Sequence, residues 1–260
     1  MDDTIVAYLV GCIFGDLNLK KWRGGKGRVT CIELNTRTTR LDTLEWLLSV
    51  LTKINRVRVY YCRTDNSIRV QVYLPKEWAT RVNDIRKFEI PHFVVNGSKE
   101  VVSSFIAGLF DSDGTIQIYK KTDAPTSIVN IRIVSTRKEF LQNLRELMLS
   151  KLNIETNIEG ERTSTMFIGK PSYRLKVLGG HEGWLTFASY VYPYSYHPIK
   201  KRRLGLALKL AQNDWRFDTI REEYEETKRA ILSSRKLSIE KVGQIVKRYS
   251  DKVLFKIIGG

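Results

Sequence analysis

Hydrophobic and polar positions along this chain run through the same order twice. Residues 7–19, AYLVGCIFGDLNL, form an apolar run with small residues at helical spacing that ends on Asp16. An alternating stretch, GRVTCIELN (27–35), comes next, followed by Leu41, Leu44, Leu47, Leu48 and Leu51 at the spacing of an amphipathic helix. Residues 55–75 then alternate on both sides of a Thr-Asp-Asn-Ser turn, which predicts a hairpin, and a helical segment over 76–88 closes the series. Beginning with SFIAGLFDSDGTI (104–116), the order recurs: alternation in IVNIRIVS (128–135), helical spacing at Phe140, Leu144, Leu147 and Leu149, a hairpin over 154–180 and a helix over 181–191. The two runs align without gaps, pairing Leu9 with Ile106, Gly11 with Gly108, Ile13 with Phe110 and Asp16 with Asp113, at an offset of 97 residues (113 − 16).

The prediction is an α+β protein of two pseudo-symmetric α-β-β-α-β-β-α units with antiparallel sheets. The first unit spans residues 1–95 and the second 96–212, and residues 213–260 follow as a helical extension. Gly11 and Gly15 lie four apart on one helix face, as do Gly108 and Ser112, so each run offers a small-residue stripe along which the two helices can pack closely. Asp16 and Asp113 then fall at helix C-termini, where the backbone dipole disfavours a carboxylate by about 0.3–1 kcal/mol. A divalent cation would remove that penalty. Mg²⁺ takes oxygen ligands from one or two carboxylates, phosphate and water, and the free carbonyls of a helix end at Gly15 and Ser112 can join them.

Charge narrows the partner. Forty-four Lys and Arg against twenty-eight Asp and Glu leave a net charge of +16, which favours a polyanion. The alternation sorts that charge onto sheet faces. Val57, Val59, Ile68, Val70, Val72 and Leu74 face one way and Arg56, Arg58, Arg69, Gln71 and Tyr73 the other, and Gln117, Tyr119, Asn130, Arg132, Arg174 and Lys176 alternate likewise with Ile116, Ile118, Ile131, Ile133, Leu175 and Val177. Arg, Lys, Gln and Asn are the side chains that read guanine and adenine edges in the major groove, and Glu33 could accept from a cytosine amine. Arg28, Arg37, Arg40, Lys120, Arg137 and Lys201 complete the expected DNA-binding set. In the tail, Arg229, Arg235, Lys236, Lys241, Lys247 and Arg248 form a further basic cluster.

Three scattered cysteines, Cys12, Cys31 and Cys62, imply neither a zinc site nor disulfides, and point to a reducing intracellular compartment. No signal peptide is expected from the acidic first residues, and no apolar run reaches eighteen residues.

LVGCIFGDL (9–17) and IAGLFDSDG (106–114) resemble the two nine-residue helix motifs of the LAGLIDADG homing endonucleases in their monomeric, two-motif form. The resemblance, over roughly residues 5–205, implies motif helices packed together beneath a DNA-binding saddle of antiparallel sheets. It implies a site-specific endodeoxyribonuclease that cuts both strands at a long asymmetric target and spreads an intron. Asp16 and Asp113 would hold catalytic Mg²⁺, with Mn²⁺ expected to substitute and Ca²⁺ to bind without supporting cleavage. Asp111 matches an earlier, structural acid, while Phe14 and Leu17 depart from the motif. The family likeness points to water positioned by peripheral side chains, for which Asn35, Ser135 and Lys200 are candidates. Lys200, Lys201, Arg202 and Arg203 together offer the alternative of a phosphate grip. Two other functions suit the same fold: an RNA-binding maturase acting on its own intron, and a DNA-binding regulator that no longer cuts. The start at Met1 and the lack of splice-junction residues are expected to set the chain apart from an intein.

Overall fold

The computed structural model describes residues 2–24, 29–86, 88–163 and 171–259. Arg28, expected to bind DNA, lies outside them. The element order follows the repeat. Helix α1 (Asp3–Phe14), strands β1 (Asn18–Arg23) and β2 (Val29–Thr38), α2 (Leu41–Leu51), β3 (Val57–Cys62), β4 (Ser67–Tyr73) and α3 (Lys76–Val82) form the first series. After the short α4 (His92–Val95), the second comprises α5 (Lys99–Asp113), β5 (Gly114–Lys120), β6 (Ser127–Ser135), α6 (Lys138–Leu152), β7 (Thr156–Thr163), β8 (Pro171–Val177) and α7 (Gly180–Val191). Then come α8 (Pro198–Ala211), α9 (Arg221–Ser234), α10 (Ile239–Lys247) and β9 (Val253–Ile258). The offset of 97 persists beyond the motifs, since β2 and β6 end at Thr38 and Ser135, and α2 and α6 begin at Leu41 and Lys138.

Two departures have local causes. Helix α3 stops at Val82 rather than running to 88, because Asn83 and Asp84 favour turns over helix interiors. The tail is helical through α10 but ends in a strand, since Val253, Phe255 and Ile257 alternate and find an open sheet edge at β3.

The chain forms two compact units. One comprises Met1–Gly15, Ile85–Ser195 and Lys200–Glu226 and holds α1, α5 and the antiparallel sheet β5-β6-β8-β7. Its sheet is apolar on one face through Ile116, Ile118, Val129, Ile131, Ile133, Leu175 and Val177, all buried. The other comprises Asp16–Asp84, Tyr196–Ile199 and Thr227–Gly260 and holds the sheet β1-β2-β4-β3-β9, antiparallel except where β9 joins β3 in parallel. Its core sets Leu34, Val57, Val59, Ile68, Val70 and Val72 against Leu44, Leu47, Leu48 and Leu51 of α2.

Candidate metal centre and nucleic-acid interface

In the compact unit that holds both helices, α1 packs along α5 at backbone contact. A Cβ built on Gly11 would overlap the Phe105 carbonyl oxygen and stand 2.6 Å from the Leu109 amide nitrogen, and one on Gly108 would overlap the Tyr8 carbonyl oxygen. Only glycine permits this approach, which explains its presence in two helix interiors where it costs about 1 kcal/mol relative to alanine. The two helices end differently. Asp113 is the last residue of α5, whereas α1 stops at Phe14 with Gly15 as its cap (φ −95°, ψ −111°). Asp16 therefore lies in the turn beyond its helix, a correction to the expectation that both acids sit at helix ends.

The stripe continues to the helix ends. A Cβ on Gly15 would overlap Ser112 Cβ and stand 3.1 Å from Asp113 Oδ2. Gly15 thus leaves open the space beside that carboxylate, and Asp16 follows directly in the chain. Among the described residues no group of three or more His, Cys, Asp or Glu could hold a metal. The Asp113 carboxylate is by itself a hard oxygen donor of the kind Mg²⁺ takes. Ser112 does not supply a free carbonyl to such a shell. Its oxygen accepts from Lys200 Nζ at 2.7 Å, as do those of Asp111 at 2.7 Å and Phe110 at 2.9 Å. An ammonium on those carbonyls competes with a cation for the same lone pairs.

That arrangement places Lys200. Pro198 opens α8, a position where proline's fixed φ suits the first helical turn. Lys200 and Arg203 then share a face three residues apart, and Arg203 Nη1 donates to the Ile116 carbonyl at 2.8 Å. Arg202 pairs with Glu226, and Lys201 lies over the Tyr192 ring at 5.2 Å. The four cations thus each have a different protein partner, an arrangement that does not favour the alternative of a joint phosphate grip.

Asp111 is 1 % exposed and accepts from Tyr8 Oη at 2.6 Å and Ser195 Oγ at 2.7 Å, which ties α1 and the segment after α7 to α5. Its counterpart Phe14 instead packs on Phe105 and Phe140, with ring centroids at 5.5 Å from each. The same place in the repeat is polar in one copy and aromatic in the other. Leu17, the second departure from the motif, is buried.

In the compact unit that begins at Asp16, Asp16 is exposed and lines a hollow of about 460 Å³ with Thr36, Arg37, Thr38, Thr39, Arg40 and Thr43. Asn35 is elsewhere engaged, donating to Glu33 Oε1 at 2.9 Å. The offset of 97 matches Ser135 to Thr38, not to Asn35. Both hydroxyls accept from a backbone amide two residues on, Arg40 N to Thr38 Oγ1 at 3.1 Å and Arg137 N to Ser135 Oγ at 3.2 Å. Thr38, which the sequence reading did not single out, is the repeat counterpart of Ser135, and continuing the gap-free offset past the motifs would have found it.

Register carries the polar positions into rows. Asn18, Asn35, Gln71 and Arg58 are successive partners across β1, β2, β4 and β3, and Arg37, Arg69 and Tyr60 form a parallel row. Arg58 and Arg69 are exposed, with Arg58 5.0 Å from the half-buried Tyr73 ring, and Arg56 precedes β3 at the surface. Glu33 and Gln71 require correction. Glu33 is 1 % exposed, and its oxygens accept from Asn35, from Gln71 Nε2 at 2.8 Å and from Trp22 Nε1 at 3.2 Å. Removing an acid from water demands such donors, and they leave neither Glu33 nor the buried Gln71 amide free to read a base. Two arginines are likewise paired: Arg37 with Asp65 at 2.7 Å, and Arg40 with buried Asp42 through Nε at 3.0 Å and Nη2 at 2.5 Å.

On the other sheet, Gln117 opposes Asn130, Arg132 opposes Lys176, and Arg174 lies across from Val134 and Glu159. Gln117, Tyr119 and Lys120 are exposed, and Tyr119 faces Ile128 across β5 and β6. Glu159 draws Lys176 to 3.3 Å and Arg132 to 3.6 Å. Arg137, ahead of α6, lies over the Phe88 ring at 5.2 Å. None of the three histidines lies on these rows; His181 stacks on Trp215 and His197 meets Asp42.

Residues 100–190 match the family model of the LAGLIDADG-like domain. Over that segment the chain is LAGLIDADG-like. A solved structure of the homing endonuclease I-WcaI bound to its DNA recognition sequence aligns with 78 % of this chain and 86 % of that one, with a TM-score of 0.52 and 18 % identity. The chain is also 25 % identical over 172 residues to the DNA polymerase of Thermococcus hydrothermalis, covering 63 % of this chain and 10 % of that protein. It is 30 % identical over 168 residues to the tRNA-splicing ligase RtcB of Methanopyrus kandleri, covering 55 % and 15 %. The chain thus spans a tenth to a seventh of the length of these two curated relatives. Among its described residues no helix is long and apolar enough to cross a membrane.

Proposed function

We propose that this protein is a sequence-specific DNA endonuclease that hydrolyses one phosphodiester in each strand of a long target. The observation that carries the reading is the opening at Gly15, where two helices packed at backbone distance bring the Asp113 carboxylate beside the residue that precedes Asp16. Asp16 and Asp113 would hold Mg²⁺, which when bound supplies Lewis-acid stabilisation of the phosphate and a lowered pKa for an attacking water. Asp113 is oriented from behind. Lys200 takes up the last carbonyls of α5, and its positive charge offsets the dipole at the helix end that the carboxylate occupies. Thr38 and Ser135, fixed by their turns, stand at matching ends of β2 and β6 as candidates to position water. Exposed Arg58, Arg69, Gln117 and Tyr119 supply the contacts to duplex grooves and backbone.

The test is cleavage of a plasmid library carrying randomised 30–40 base-pair inserts (about three to four duplex turns), with the cut ends sequenced. With Mg²⁺ or Mn²⁺ the expected result is a recurrent double-strand break at one target family, and with Ca²⁺ binding without cutting. Asp16→Asn and Asp113→Asn should each lower cleavage by at least about a hundredfold while retaining affinity. No cleavage by a protein that binds RNA tightly, or full cleavage by both variants, would overturn the reading.

A further inference from the structure

The tail closes on a strand that joins a sheet edge. β9 is bonded to β3 in parallel along six residues, Arg58 beside Leu254 and Tyr60 beside Lys256, and the ladder extends to Arg63 N on the Ile258 carbonyl at 3.0 Å. Neighbours in a ladder point to the same side of the sheet. Val253, Phe255 and Ile257 therefore follow the side of Val57, Val59 and Tyr61, where Val253 is buried, Phe255 half-buried and Ile257 44 % exposed, while Leu254 and Lys256 join the polar face of Arg58 and Tyr60. Lys256 completes a row with Arg37, Arg69 and Tyr60 across four strands. Strand spacing of about 4.8 Å makes that row roughly 14 Å wide, or about four base pairs along a duplex axis.

The segment is anchored for the purpose. α10 packs on α2 through buried Val242, Ile245 and Val246, and Arg248 Nη1 pairs with Glu45 at 2.7 Å. A strand serving only to shield the edge of β3 would need its core-facing residues alone. Here the outward face carries an exposed lysine and a leucine that is 39 % exposed, in continuity with a cationic row.

We propose that β9 widens the nucleic-acid face of this sheet by one strand and that Lys256 contacts a backbone phosphate of bound duplex DNA. The proposal rests on duplex DNA as the substrate. The measurement is the affinity of the full chain for a mixed-sequence duplex of about 40 base pairs, by fluorescence anisotropy at several salt concentrations. Lys256→Gln should weaken binding about fivefold near 0.15 M salt, and the slope of log K against log salt should become shallower by about 0.9, the signature of one lost phosphate. The double variant Lys256→Gln/Ile257→Lys keeps the net charge but moves the ammonium to the opposite face of β9, so it should stay as weak as Lys256→Gln. Equal melting temperatures for the three proteins exclude loss of the strand as the cause. An unchanged slope in Lys256→Gln, full recovery in the double variant, or a melting temperature that drops with affinity would overturn the proposal. If wild type does not bind the duplex at all, it is the endonuclease reading that fails.

Discussion

Gly108 sits where α5 crosses α1, and an alanine there would press its methyl group onto the Tyr8 carbonyl, 2.9 Å from the carbonyl carbon. The neighbour is backbone, so it cannot turn aside as a side chain could, and the helices must separate. Gly108→Ala is expected to cost about 3 kcal/mol by denaturant unfolding, at the upper end for overpacking even after its gain in helix propensity. Gly243 provides the contrast. It lies inside α10 with nothing within 4 Å of a built Cβ, so Gly243→Ala should stabilise the protein by roughly 0.5–1 kcal/mol. Sequence alone marked Gly11 and Gly108 because they recur in register. It could not distinguish Glu33 from the exposed residues of its strand face, because burial of a polar side chain depends on neighbours such as Trp22 and Gln71 from other strands.

At the scale of elements, one helix start shows how a buried charge is held. Asp42 stands in the first turn of α2, nearly buried, and donors from two directions hold it ionised. Burial alone would raise its pKa. That effect is outweighed by the hydrogen bonds from Arg40, the charge of His197 when protonated, the charge of Arg40 and the Thr43 amide, so the carboxyl lies below its ordinary value. A depressed folded-state pKa contributes stability that is present above the unfolded value, near 3.9, and is lost as pH falls through the folded value. Unfolding by denaturant between about pH 7 and pH 3 should therefore show stability falling below about pH 5. Asp42→Asn should be less stable at neutral pH and lose less on acidification; an equally steep profile would count against the assignment. Element order in both repeats was legible because period-two and period-3.6 patterns differ clearly. β9 was not, since six residues cannot show that a sheet edge awaits them.

For the whole molecule, a net charge of +16 means that the folded chain repels itself as well as attracting polyanions. Raising NaCl from about 0.05 to 0.5 M shortens the screening length from above 10 Å to below it. The melting temperature in the absence of DNA should rise by a few degrees over that range, read by calorimetry, and a decrease would show that favourable ion pairs such as Arg37–Asp65 and Arg248–Glu45 dominate. The sequence by itself determined the repeat, the alternation of sheet faces, the small-residue stripe and the two acids at matching places, because each is a periodic property of one chain segment. Only the tertiary structure decided which cations are spent within the protein, as Lys200 is on three carbonyls of α5 and Arg40 on Asp42. It also decided that α1 ends before Asp16 and that the tail returns as a strand. These outcomes depend on partners 2 to 200 positions away, and pairing across such separations follows from packing and register rather than from any local pattern.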